Sequence, residues 1–257
     1  MPKLEPYSRK LPYSYALGLF PCMKLMEAHP EAVRRLLLHP DAAEASLSFP
    51  LPEGRASGEV SGVEKLRALC RQHGIREEIA EKVLKRESKK DNCFAGLVFE
   101  KYVCTLRKSA NHAVLCQISD SGNLGTALRS LLGFGLEDVA LIRPCVDPYE
   151  PHTLRASMGA FYDLRLRVYE TFDQYLEEFP GRSIYPFMLD GAKPLDQVAR
   201  NARAPYTLVF GNEQRGLPAT FQQYGQSVLI PQSNKIDSLN LAVAVSIGAY
   251  AFTTGGK

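Results

Sequence analysis

The chain has 257 residues, 45% hydrophobic and 23% charged, the proportions of a globular protein able to bury one large core or two ordinary ones. No run approaches the ~20 apolar residues of a membrane span, and the opening "MPKLEPYSRKLPYSYALGLF" lacks an uninterrupted signal-type apolar core, so a cytoplasmic protein is expected. Six scattered cysteines and five scattered histidines, without CxxC or Cys/His ligand spacing, argue against a zinc site or disulfide framework; no metal is implied. The formal charge of +3 names no partner, but it is unevenly spread. Residues 1–106 carry 17 Lys and Arg against 14 Asp and Glu, whereas residues 107–257 carry 14 of each.

Residues 11–102 read as a small α/β unit. "PCMKLMEA" has helical apolar spacing and "VRRLLL" reads as a strand. The segment 48–62, rich in Pro, Gly and Ser, is expected to be loop. "VEKLRALCRQHG" places Val63, Leu66, Leu69 and Cys70 on one face and stops at Gly74, "EEIAEKVLKR" reads as another short helix, and "FAGLVFEKYV" as a strand. The run "KVLKRESKK" at 82–90, with Arg86, Lys89 and Lys90, suits a solvated helix face and equally the footprint of a nucleic-acid-binding module.

The polar stretch 105–112, "TLRKSANH", is the expected linker between a domain over 1–104 and a second over 113–257. There the chain alternates: strand "AVLCQI", turn "SDSGNLG", helix "TALRSLLGFG", strand "VALIR", then strands "SIYPFML" and "YTLVFG". That rhythm predicts a parallel sheet with crossover helices. After "SVLIP" and a polar loop, a long small-residue helix is expected from Ser238, its Ala, Gly and Ser allowing close packing.

Three loops follow predicted strands, and a parallel sheet gathers such loops on one edge, where ligands bind. "GNLGTALR" holds Asn123, suited to a helix cap, and Arg129 about one and a half turns into the helix. "LVFGNEQRGLP" at 208–218 runs from a buried-type strand into a glycine turn bearing Glu213, which can pair with an arginine. "LIPQSNKIDSLNLAVA" frames a polar loop with Ile230 and Leu239, and Ser238 and Asn240 suit capping. The dinucleotide pattern G-x-G-x-x-G is absent, which removes the main support for a nicotinamide enzyme.

In this order and spacing the three loops resemble the signature motifs of the SpoU/TrmH family of RNA ribose 2′-O-methyltransferases, over roughly residues 113–252. "RASMGAFYDLRL" at 155–166 resembles the basic element that the family carries between the first two motifs. The resemblance implies an α/β catalytic domain with a deep trefoil knot, a homodimer, and S-adenosylmethionine as cofactor. It implies that Leu208, Gly211, Asn212, Ile230 and Leu239 hold the cofactor, and that Asn123, Arg129, Glu213, Ser238 and Asn240 are catalytic. A guanidinium stays protonated, so the expected role of Arg129, facing Glu213, is to hold the reacting hydroxyl and an adjacent phosphate. A substrate phosphate or water then takes the proton.

More weakly, residues 1–104 resemble the family's ribosomal-protein-like substrate-binding domain, so Arg86, Lys89, Lys90 and Arg155 are candidates for RNA contact. The chain departs from the family with Phe94-Ala95-Gly96 in place of His-Gln-Gly and with Asp120-Ser121-Gly122 in the first motif. The implied activity is 2′-O-methylation of structured ribosomal or transfer RNA, with guanosine favoured. A catalytically silent RNA-binding paralogue and a base-methylating knotted enzyme are the alternatives.

Overall fold

The computed structural model describes residues 4–42, 62–90, 92–190 and 192–254. Its contacts gather into two units, Met1–Tyr102 with Pro148–Tyr162, and Val103–Asp147 with Asp163–Lys257. The loop expected at 48–62 lies outside the described residues except for Gly62.

The first unit contains β1 (Tyr13–Leu17), α1 (Leu19–Ala28), β2 (Val33–Leu38), α2 (Gly62–Gln72), β3 (Arg76–Ile79), α3 (Glu81–Ser88) and β4 (Ala95–Glu100). The strands are hydrogen-bonded in the order β1-β4-β2-β3, with β4 antiparallel to both neighbours and β3 parallel to β2. Tyr15, Leu17, Leu37, Leu84 and Val98 pack together as its core. The helix expected over "EEIAEKVLKR" starts only at Glu81, and Glu77–Ile79 belong to β3. All four side chains of β3 are exposed, so no alternation marks it; backbone pairing with β2 makes it a strand.

Along the rest of the chain run β5 (His112–Cys116), α4 (Ser121–Gly133), β6 (Asp138–Ile142), α5 (Pro151–Ala156), α6 (Ala160–Asp163), β7 (Arg165–Tyr169) and α7 (Phe172–Glu178). They are followed by β8 (Ser183–Pro186), β9 (Lys193–Pro194), α8 (Leu195–Ala199), β10 (Tyr206–Phe210), β11 (Val228–Leu229) and α9 (Leu241–Thr254). The second unit is built on a five-stranded sheet of order β7-β6-β5-β10-β8, in which every pairing is parallel. "HAVLC", "DVALI" and "YTLVF" are buried along their whole length, as strands covered on both faces must be. Val114, Ile142, Tyr169, Phe172, Tyr175 and Val209 form one core layer. Over the other face α4 meets α9, where Ser246 Oγ donates to Ser130 Oγ at 2.7 Å. A Cβ on Gly248 would fall 2.6 Å from the Phe187 ring, so α9 reaches that ring only because this position is glycine.

Two parts of the expected domain division are corrected. Between β6 and β7 the chain leaves the second unit, and residues 148–162, which carry most of "RASMGAFYDLRL", pack with the first. Ser14 Oγ donates to the Tyr149 carbonyl at 2.5 Å, and the Phe99, Tyr149, Phe161 and Tyr162 rings pack with centroids 5.0 to 6.2 Å apart. Those contacts are long-range in sequence and leave no periodic trace. The stretch 105–112 is no linker either. Leu106 is buried, Arg107 grips the fully buried Asp138 carboxylate through Nε at 2.8 Å and its backbone N–H at 2.7 Å, and Arg182 donates to the Lys108 and Ala110 carbonyls. Polar character here serves an internal network rather than solvent.

That network closes the amino-terminal edge of the sheet. Arg182 Nε donates to Thr207 Oγ1 at 2.9 Å, Thr207 lies 2.7 Å from the Tyr175 hydroxyl, and that hydroxyl lies 2.9 Å from His112 Nδ1. His112 Nε2 sits 2.8 Å from the Arg107 carbonyl, which can only accept. With Nε2–H given to the carbonyl, a neutral ring leaves Nδ1 as acceptor and the protons run one way: Thr207 donates to Tyr175, Tyr175 to Nδ1, and Nε2–H to the carbonyl. This needs a neutral imidazole. Burial, helped by the nearby Arg182 charge, lowers the His112 pKa to about 4. Above pH ~6.5 the ring is neutral folded or unfolded; as pH falls toward 4 the unfolded chain takes up the proton first. His112 is thus expected to withdraw up to roughly 3 kcal/mol of stability between pH 6.5 and 4. Thermal midpoints measured across that range should fall more steeply for the wild type than for His112→Gln, and equal slopes would contradict this account.

Candidate active site

The five strands of the parallel sheet end on the same edge, and the first two motif loops leave from it; the third leaves β11, which pairs with β9 in a separate two-stranded sheet. The first motif loop follows β5. Its helix cap is not Asn123 as expected but Asp120, whose Oδ1 accepts from the Asn123 backbone N–H at 2.6 Å; α4 then starts at Ser121, inside the stretch expected as a turn. A carboxylate here also suits the positive end of the helix. Asn123 is left with its side chain free to reach other loops.

The second motif loop follows β10 and folds onto itself. Asn212 Oδ1 accepts from the N–H groups of Gln214 and Arg215 at 3.0 and 3.2 Å, and the Asn212 carbonyl accepts from Gly216 N–H at 2.9 Å. The turn is so tight that a Cβ on Gly211 would sit 2.3 Å from the Gly216 carbonyl carbon. It projects Glu213 across to the first loop. One carboxylate oxygen accepts from Ser119 N–H (3.2 Å) and Ser119 Oγ (3.0 Å), the other from Asp120 N–H (3.2 Å). Among the described residues Glu213 forms no ion pair with Arg129, contrary to expectation, because the turn at 119–120 already occupies its carboxylate. Arg129 is exposed, six residues along α4 from Asn123 and on a different face.

The third motif loop runs from β11 to α9. The helix begins at Leu241 rather than Ser238, and its cap is Asn240, whose Oδ1 accepts from Ala242 N–H at 2.9 Å. The same side chain turns its Nδ2 to Asn123 Oδ1 at 2.9 Å, while Asn123 Nδ2 reaches Glu213 at 3.5 Å. Asn123 is therefore the junction at which all three motif loops meet.

Beside this junction opens a cleft of about 360 Å³. Gly211, Asn212, Glu213, Ile230, Ser238 and Leu239 line it. Leu208, expected there, lies inside β10 with no exposed surface and does not. Asn123, Arg129 and Asn240 are also not among its lining residues. Phe187, Leu189 and Phe210 supply apolar wall, and the acids Asp190, Glu213 and Asp237 outnumber the one base, Arg215. Phe187, Leu189 and Asp190 escape sequence reasoning because their segment after β8 carries no motif, whereas Asp237 stands in the third motif loop beside Ser238. Asp120 had a signal, a short acidic residue three positions ahead of Asn123 at a helix start.

The four residues expected to touch RNA belong to the first unit. Lys89, in the left-handed conformation (φ 54°), and Lys90 are exposed at the end of α3. Arg86 pairs with Glu87 at 2.6 Å, and Arg155 donates to the Ser88 carbonyl at 2.9 Å. Among the described residues no cluster of His, Cys, Asp and Glu could hold a metal ion, and no helix is long and apolar enough to cross a membrane.

The hydrogen bonds of Glu213 make a sharp test. An amide at this position would turn an N–H₂ toward donors, so Glu213→Gln should cost about 1–2 kcal/mol, nearly as much as Glu213→Ala. Denaturant unfolding reads this, and a Gln variant as stable as the wild type would refute the assigned contacts.

The model of the SpoU rRNA Methylase family matches residues 110–250, which include all three loops. A curated relative from Synechocystis, an uncharacterized tRNA/rRNA methyltransferase, is 33% identical over 140 residues, 53% of this chain and 50% of that protein. The 23S rRNA (guanosine(2553)-2′-O)-methyltransferase RlmP of Bacillus subtilis is 28% identical over 136 residues, 52% of this chain and 54% of its own. The chain thus spans about half the length of these relatives. Among solved structures, an AdoMet-bound rRNA methyltransferase from Sinorhizobium meliloti superposes with a TM-score of 0.74 at 23% identity, covering 94% of this chain and 87% of that one, a likeness of fold. The family match covers more than half of the sequence and contains each loop that meets at Asn123, and on that ground the chain belongs to the SpoU rRNA Methylase family.

Proposed function

We propose that this protein transfers a methyl group from S-adenosylmethionine to a ribose 2′-hydroxyl of structured ribosomal or transfer RNA, with guanosine the favoured nucleotide. The carrying observation is the junction at Asn123, which ties the three motif loops together on the strand-end edge that also bears an acidic, apolar-walled cleft. The cleft's chemistry fits that cofactor. Phe187, Leu189 and Phe210 suit an adenine ring, and the acidic surplus of Asp190, Glu213 and Asp237 suits a ligand with a sulfonium and an ammonium group. When bound there, the cofactor supplies a methyl group activated by positive sulfur. Backbone groups at Gly211, Ile230 and Leu239 would hold it.

Methyl transfer of this kind needs the attacking oxygen in line with the carbon–sulfur bond, so the protein's share is placement. Glu213 orders the two loops and, with its carboxylate occupied by Ser119 and Asp120, takes no proton from substrate. Arg129 holds the hydroxyl and a neighbouring phosphate through its planar fork. The hydroxyl proton leaves to water or to a substrate phosphate. RlmP, named for a guanosine, supports that nucleotide, whereas TrmJ of Yersinia pestis, 32% identical over 148 residues, is named for cytidine and uridine. Lys89, Lys90, Arg86 and Arg155 would contact RNA backbone.

The same reading includes a homodimer and the trefoil-knotted chain path of the resemblance, in a cytoplasmic protein. Support for the dimer comes from α9, which is apolar almost all round yet leaves Val243 45% and Tyr250 56% exposed, one and the same face at a seven-residue spacing. Arg129 stands exposed on α4, the helix against which α9 packs, and is absent from the cleft of its own chain, a position from which it could serve a partner's substrate.

Incubation with labelled S-adenosylmethionine and unmodified ribosomal or transfer RNA should yield a 2′-O-methylnucleoside on digestion. Label in a base would move the activity to a base-methylating enzyme. No transfer together with no cofactor binding would leave an RNA-binding paralogue. Arg129→Lys should lower kcat at least roughly tenfold with cofactor affinity unchanged, because a point charge replaces a bidentate fork; near-normal turnover would remove the bidentate role. Val243→Glu and Tyr250→Glu should each halve the mass in solution measured by light scattering, and a wild type that is already monomeric would end the dimer reading.

A further inference from the structure

A second cleft, of about 230 Å³, opens on the same sheet edge, on the β5-β6-β7 side of the second motif loop, and Gly216 of that loop borders both clefts. We propose that this cleft seats the base of the nucleotide whose ribose is methylated, with Gln117 and Arg143 reading the base edge; this rests on the RNA methyl-transfer reading above. A nucleobase is bonded to the sugar carbon next to the one bearing the 2′-hydroxyl. It must therefore lie within one ring's length of the reacting oxygen, on one side or the other of the donor. The donor cleft occupies the β10–β8 side, and the second cleft lies across Gly216 from it.

The lining has the character a base requires. Phe172 and Phe221 stand with ring centroids 4.9 Å apart, Phe172 buried and Phe221 partly open to the cleft, an aromatic platform for stacking. At the rim Arg143 Nε lies 3.1 Å from a Glu170 carboxylate oxygen, so the opening carries a fixed donor fork and an acceptor. An arginine fork matches two acceptors on one guanine edge.

Gln117 lines the second cleft with φ at 58°, a left-handed conformation that a glutamine rarely adopts. It is held there by Gln117 N–H to the Ile142 carbonyl at 3.0 Å and by Asn212 Nδ2 to the Gln117 carbonyl at 2.8 Å. The second of these bonds ties it to the motif loop that separates the clefts. Strain maintained at such a point, with an exposed side chain that both donates and accepts, has its use in a ligand contact rather than in packing.

The sequence contains no tryptophan, so Phe221→Trp introduces a single fluorescent reporter on the platform. With S-adenosylhomocysteine saturating, addition of an unmodified RNA that the enzyme methylates should quench this indole. Gln117→Gly, which keeps the backbone conformation, and Arg143→Ala, at an exposed position, should each lower kcat/KM for that RNA roughly tenfold or more while S-adenosylmethionine affinity stays within about twofold. The proposal is overturned if both variants keep kcat/KM within about twofold and bound RNA leaves the indole emission unchanged. Failure of the wild type to bind S-adenosylmethionine or to methylate any RNA would bring down the underlying reading, and this one with it, before any variant is made.

Discussion

The carboxylate of Glu213 is the constraint around which the carboxyl-terminal edge of the sheet is arranged. Two loops leave neighbouring strands β5 and β10, and nothing in a parallel sheet obliges such loops to touch. Here the backbone N–H groups of Ser119 and Asp120 would lack partners at the turn, and Glu213 supplies both with acceptors. Once that contact forms, Asn123 stands within reach of Glu213 on one side and Asn240 on the other. The start of α9 is thereby fixed to the start of α4, and the wall of the cleft follows from it. Glu213, expected to face an arginine, instead holds the turn at Ser119 and Asp120 and so positions the edge.

The two edges of the sheet divide the labour. The amino-terminal edge holds the directional network of Arg182, Thr207, Tyr175 and His112, together with the buried Arg107–Asp138 pair, all satisfied within the protein and closed to ligands. The carboxyl-terminal edge holds short polar side chains with capacity to spare, two clefts and a strained Gln117. Such a division lets loops on one edge vary in chemistry while the other keeps the strands in register. The clefts lie on either side of the Asn212–Gly216 turn, which makes that turn a wall for both.

Much of the fold was legible in order and pattern. The apolar runs of β5, β6 and β10 marked a sheet covered on both faces, and their alternation with α4 and its successors marked the strands as parallel. Where the pattern misled, a tertiary contact had replaced a local preference. β3 carries no apolar face and exists by pairing with β2; the stretch 105–112 is polar because Asp138 and Arg182 lie against it; residues 148–162 leave their neighbours in sequence to join a cluster of aromatic rings. Helix starts slipped for a related reason. Asp120 rather than Asn123, and Asn240 of the two candidates Ser238 and Asn240, satisfy the free N–H groups, since several short polar residues stand in a row at each start and only the path of the chain selects among them.

Residue types and their order were sufficient to name the three motif loops and to assign the chain to its family, because a turn that needs Gly211 or a cap that needs a short polar side chain restricts which residues can stand there. Which side chains then meet was beyond the reach of the sequence. Asn123 and Asn240 are 117 positions apart, Ser119 and Glu213 are 94 apart, and Arg129, close to Asn123 along the chain, lies outside the cleft. Strand order and the turn of a helix, which sum contacts over the whole unit, place one residue in the junction and its neighbour six positions on at the surface.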